Sequence, residues 1–117
     1  MANGLFVLVQ WRKKKSMTKI KKYEIRPEMI NIISGQIDRI ADVGFIDGKY
    51  YLWAMENDKF AKIDIQVIGW REETQMPIVE EYDFSNELIW AYAGRTDDIF
   101  WFAEDPILKQ MEAYEED

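Results

Sequence analysis

Apolar and polar residues alternate along much of this chain. Residues 61–67 are the clearest case: Ala61, Ile63, Ile65 and Val67 fall on one side, Lys62, Asp64 and Gln66 on the other. That two-residue period marks a strand with one wet face. Leu5-Phe6-Val7-Leu8-Val9-Gln10-Trp11 is dense in β-formers and reads as a first strand. In Thr18–Ile25, a strand would send Thr18, Ile20, Lys22 and Glu24 one way and Lys19, Lys21, Tyr23 and Ile25 the other. The pattern then changes. After Pro27, suited to the first turn of a helix, Ile30, Ile33, Ile37 and Ile40 recur at spacings of 3, 4 and 3. This predicts a helix over 27–42, although Gly35 would cost it about 1 kcal/mol.

Sheet returns at Val43. Val43–Ile46 and Lys49–Met55 flank Asp47-Gly48, a dipeptide suited to the positive φ angles of a tight hairpin turn. Glu56-Asn57-Asp58 reads as the next turn. Strands are predicted at Ile78–Phe84, Glu87–Ala93 and Ile99–Phe102, separated by Ser85-Asn86 and by Gly94-Arg95-Thr96-Asp97-Asp98. Pro106 opens a C-terminal helix with Ile107, Leu108, Met111 and Tyr114 as its apolar positions, before a fraying Tyr-Glu-Glu-Asp end. The expected fold is one α+β domain over 1–117. It is a strongly curved antiparallel sheet, closable into a small barrel, with one packed helix and a short C-terminal helix.

Composition narrows the chemistry. The chain has no cysteine and no histidine, so disulfides, thiol nucleophiles, Ser-His pairs and zinc sites built on those ligands are excluded. Oxygen-ligand sites for a divalent ion remain open. Asp47-Gly48-Lys49 has the acid–any–Lys spacing of metal-dependent nucleases, with Asp38 or Asp42 as a second ligand. However, Asp-Gly reads as a turn where that motif needs a strand. The glycines are isolated and form no phosphate loop. The expectation is a protein that is not an enzyme and carries no cofactor or metal.

Charge is segregated. Residues 12–22 hold seven of the fifteen basic residues and no acid, while the eight others share residues 23–117 with all twenty-two acids, a net −14 there. The apolar run of residues 5–9 precedes the basic stretch, the reverse of an export signal, and is too short to span a bilayer. A cytoplasmic protein away from membranes is expected. Met17 offers a second start, and a chain beginning there would lack the first strand and Arg12–Lys15.

Two functional surfaces follow. Lys19, Lys21 and Lys22, with Trp11, Arg12, Lys13, Lys14 and Lys15, could grip a phosphate backbone from a basic hairpin over 12–22 while aromatic strands stack bases. The same lysines could instead blunt an edge strand or dock on the acidic surface of another copy. Alternation also spreads Tyr50, Tyr51, Trp53, Trp90, Tyr92, Phe100, Trp101 and Phe102 over both sheet faces, so some need a cover or a partner. Glu80, Glu81, Asp83, Asp97 and Asp98 are the candidate acids for meeting a partner's basic groove, with Trp90 and Trp101 as anchors. The leading expectation is a small acidic inhibitor or immunity-type protein of the kind a mobile element encodes. A single-stranded nucleic-acid binder is the alternative, and a structural subunit or homo-oligomer the third reading.

Overall fold

The computed structural model describes residues 18–79 and 90–115. Within them the chain runs β1 (Thr18–Ile25), β2 (Asn31–Gly35), β3 (Ile37–Ile46), β4 (Lys49–Asn57), β5 (Ile63–Arg71), β6 (Met76–Pro77), β7 (Trp90–Thr96), β8 (Ile99–Glu104) and α1 (Pro106–Glu115). All strand pairs are antiparallel and fall in two sheets, one ordered β1-β4-β3, the other β2-β5-β8-β7 with β6 beside β5. The described strands therefore form a two-sheet α+β arrangement and do not close into a barrel. The first strand expected at 5–11, and the 80–84 and 87–89 portions of two later ones, lie outside the described residues. Ile78 and Val79 are a bend.

The inward faces of both sheets build one core. Ile25, Ile37, Val43, Leu52 and Ala54 come from the first sheet, and Ile33, Ile65, Val67, Trp101 and Ala103 from the second. In β1 the register sets Tyr23 against Leu52 and Ile25 against Tyr50, on the side the alternation assigned to them. The expected period of 61–67 also holds, with Ile63, Ile65 and Val67 buried and Lys62 and Asp64 exposed.

No helix occupies 27–42; those residues form a turn, β2 and most of β3. In β2, Asn31, Ile33 and Gly35 are buried while Ile32 and Ser34 are exposed, a period of two. In β3 the register slips between Ile37 and Arg39 and again between Ile40 and Asp42. Each bulge adds a residue and resets the alternation. Ile37, Ile40 and Val43 can therefore all reach the core at intervals of three. That spacing imitated a helix, and the β-branched isoleucines are better placed on a pleated surface.

Polar side chains close the gaps between the sheets. Asn31, only 6% exposed, accepts from the Arg26 N–H at 2.8 Å and donates to the Arg26 and Val67 carbonyls at 2.9 and 3.0 Å. It thereby ties the 26–30 turn to β5. Glu56 is equally enclosed. It accepts from the Tyr23 hydroxyl at 2.9 Å and the Gln36 N–H at 3.2 Å, and Tyr23 also lies 3.0 Å from the Ser34 carbonyl. Gly35 makes room for this group, because a Cβ there would collide with a Glu56 carboxylate oxygen.

α1 packs on β5 and β3, but not by the face its apolar residues predict. Ile107, Met111 and Tyr114 are exposed, while Pro106 and Gln110 are buried and Ala113 meets the core. Gln110 takes the docking role by donating to the Ala61 carbonyl at 2.6 Å and accepting from the Ala61 N–H at 3.1 Å. Ala61, two residues before β5, offers an N–H and a C=O, and a carboxamide matches both where an apolar side chain would leave them unsatisfied.

Candidate functional site

Three turns place acids around aromatic rings at one end of the sheets. The Asp47-Gly48 turn has φ of 51° and 80°, consistent with the type I′ geometry that Asp-Gly favours. It pairs Ile46 with Lys49 and Phe45 with Tyr50. Phe45, 52% exposed, packs its ring 4.6 Å from that of Tyr50. Tyr50 in turn lies 5.4 Å from Trp101. Trp101 is wholly buried and donates from Nε1 to the Thr96 hydroxyl at 2.7 Å. A fixed core tryptophan thus supports a half-buried tyrosine, which supports an exposed phenylalanine.

The rim of this ring stack is acidic. Burial, then the nearby carboxylates of Asp98, Asp97 and Glu28, raise the Tyr50 phenol above its ordinary value. Glu28, Asp47, Asp97 and Asp98 are all exposed and make no ion pair with any described residue. The cations that could neutralise them are engaged elsewhere. Arg26 and Lys49 hold Glu24 at 3.5 and 3.6 Å, and Arg95 holds Glu72 at 2.9 Å. A groove of about 280 Å³ runs between the Arg26–Glu28 turn and the Gly48–Tyr50 segment.

The outward face of the β1-β4-β3 sheet is also uncovered among the described residues. Tyr51, Trp53 and Met55 line its central strand, opposite Glu24, Lys22 and Ile20 of β1. The Lys22 ammonium sits 4.6 Å over the Tyr51 ring, and Ile20 is 63% exposed. On the second sheet, Tyr92 packs against Phe100 and Phe102 at 6.1 and 5.7 Å, and Trp70 meets Phe102 at 5.3 Å.

Several candidate residues move from their expected places. Trp101 cannot anchor a partner, because the alternation of β8 sends it with Ile99 and Ala103 into the core. Trp90 is half-buried on β7, away from the acidic rim's hairpin turns. Asp97 and Asp98 do reach the surface together. Their turn is shorter than the Gly94–Asp98 segment expected, since β7 runs through Thr96. Glu80, Glu81 and Asp83 lie outside the described residues, as do Trp11, Arg12, Lys13, Lys14 and Lys15. Lys19, Lys21 and Lys22 are exposed along β1, the strand expected at Thr18–Ile25. Asp47-Gly48 is a turn, and no group of three or more carboxylates suited to a metal gathers among the described residues.

Phe45 and Glu28 were missed as site residues, and Tyr50 was named only among the strand aromatics. Phe45 was legible: a two-residue turn at Asp47-Gly48 necessarily sets it opposite Tyr50. No described helix is long and apolar enough to cross a membrane. No family model, curated protein or solved structure matches the chain.

Proposed function

We propose that this is a non-enzymatic protein-binding domain whose acidic, aromatic-floored end occupies a basic surface on a partner protein. The observation that carries it is the Phe45–Tyr50–Trp101 stack, with Asp98, Asp97 and Glu28 near Tyr50 and Asp47 in the turn that joins the Phe45 and Tyr50 strands. A rigid exposed ring makes a hot spot when a partner seals water from it. Carboxylates without internal counter-ions favour a cationic partner and speed its approach. An inhibitor or immunity-type role in the cytoplasm, as a mobile element would encode, fits a cysteine-free acidic chain. Glu80, Glu81 and Asp83 would extend the acidic surface.

The test is affinity capture from the source cell with the intact chain, Phe45→Ala, and Asp97→Lys with Asp98→Lys. Phe45→Ala should chiefly speed dissociation and weaken equilibrium affinity by about 2 kcal/mol or more if the ring is an anchor. Charge reversal should chiefly lower the association rate and abolish its salt dependence. A partner that both variants retain at the original affinity would remove this surface. A defined oligomer in light scattering, lost in the same variants, would instead support the structural-subunit reading.

A further inference from the structure

The outward face of the β1-β4-β3 sheet has chemistry opposite to the acidic end. Its central strand carries Trp53, whose ring lies along Gly44: a Cβ at that glycine would meet two ring carbons at 2.8 and 3.1 Å. Gly44 thus gives Trp53 a floor, and the indole is half-buried on the outward face of the sheet. Lys22 is its cross-strand neighbour on β1, held over the Tyr51 ring 6.2 Å from that of Trp53. On the other side Arg39 of β3 is paired with Met55 and lies along it, its Nε 3.0 Å from the sulfur. Two exposed cations thus stand on this face, Lys22 across from Trp53 on β1 and Arg39 across from Met55 on β3, neither of them in an ion pair with a described residue.

The acids of this face are Glu24 and Asp42. Glu24 is neutralised by Arg26 and Lys49, whereas Asp42, across from Trp53 on β3, accepts the Val43 N–H at 2.8 Å and makes no ion pair with a described residue. Lys19 and Lys21 stand on the reverse of the same edge strand, in the acid-free stretch 12–22.

We infer that this face binds single-stranded nucleic acid, one base stacking on Trp53 while Lys22 and Arg39 take the flanking phosphates. Sheet-borne aromatics flanked by cations hold single strands without reading sequence, because every base presents a π face. A duplex keeps its bases stacked inside and cannot use the indole. The occupant is set by charge: an acidic protein segment would satisfy the cations and leave the indole without a planar partner. The site is separate from the acidic end, so loss of either leaves the other intact.

The experiment is fluorescence anisotropy of a labelled thymidine oligonucleotide of about twelve nucleotides, within the span of small single-strand-binding domains. The intact chain is titrated at about 50 and about 200 mM salt, with the same oligonucleotide annealed as a duplex for comparison. With the two phosphates on Lys22 and Arg39 neutralised, the fourfold salt increase should lower affinity roughly sevenfold. Trp53→Ala should weaken binding roughly tenfold or more. Lys22→Glu, at an exposed position where folding is not at stake, should weaken it and flatten the salt dependence. Phe45→Ala should bind the oligonucleotide like the parent, which keeps this test independent of the partner-capture test. Absence of saturable binding at either salt, equal binding of the duplex, or parental affinity in Lys22→Glu would each overturn the inference. So would capture of a protein that Lys22→Glu loses while the oligonucleotide titration stays flat.

Discussion

Gly94 offers the sharpest test of how the two sheets meet. It sits in β7 with φ of 147°, and a Cβ built there would stand 2.6 Å from a Val43 methyl of β3. Gly94→Ala therefore combines two costs. A side chain in that backbone region costs about 1–3 kcal/mol, and overpacking a formed contact about 1–3 kcal/mol more. The expected loss is about 2–6 kcal/mol, a large part of a small domain's stability. The packing share can be isolated. Val43→Ala removes the obstructing methyls and alone costs about 1.5–3 kcal/mol. In the double variant the new methyl occupies vacated space, so the combined loss should fall short of the sum by about 1–3 kcal/mol. Gly48→Ala is the control: its φ is 80° and nothing lies within 4 Å of an added Cβ, so it carries the backbone cost alone. Urea unfolding followed by tryptophan fluorescence reads all four proteins. Additive losses at 43 and 94, or a Gly94→Ala loss no larger than that of Gly48→Ala, would refute the close approach of β3 to β7.

Gln110→Ala should cost about 1–3 kcal/mol by stranding the Ala61 N–H and C=O, whereas Met111→Ala should stay within about 0.5 kcal/mol; equal losses in urea midpoints would contradict the docking face assigned to α1. Tyr23→Phe should cost about 1–2 kcal/mol through its lost bonds to Glu56 and Ser34. It should also change the alkaline limb. Burial and the Glu56 hydrogen bond hold the folded Tyr23 phenol well above its ordinary value, and Tyr50 is raised too. The unfolded chain releases these protons first, so the associated stability is present below about pH 10 and is lost as pH rises beyond it. A shallower alkaline fall in Tyr23→Phe is expected from urea midpoints across pH, and an unchanged slope would rule out the linkage. Gly44→Val should displace the Trp53 ring and alter tryptophan emission without unfolding the protein, whereas an unchanged spectrum would mean that the ring does not rest on Gly44.

Local rules were legible where one signal acted alone. The β1 and β5 alternations, the Asp-Gly turn and the Pro106 helix start each depend on neighbours a few residues away. The 27–42 segment failed because two bulges reset its period, and a bulge is fixed by the partner strand, which no local window contains. Trp101 failed in a related way. Its aromatic run, Phe100-Trp101-Phe102, could bury either phase; the choice follows from the core that β5 and β4 supply. α1 failed because docking was decided by a backbone edge needing a donor and an acceptor, and hydrophobic spacing is blind to that demand.

Charge segregation in the sequence has a structural counterpart along the strands. β1 begins with Lys19, Lys21 and Lys22 and ends beside Glu24, while β4 starts at the Asp47-Gly48 turn and finishes opposite Thr18. Antiparallel pairing thus sets the lysines at one end of this sheet and the Asp47 turn at the other, with Asp97, Asp98 and Glu28 near Tyr50. Self-repulsion alone would favour interspersed charges. Separation instead leaves fields of opposite sign about a strand length apart, close to or beyond the screening length of roughly 8 Å at physiological salt. Each end can then steer its own ligand without neutralising the other. This arrangement favours a protein that meets two charged partners by different faces over one whose acidic surface serves only solubility.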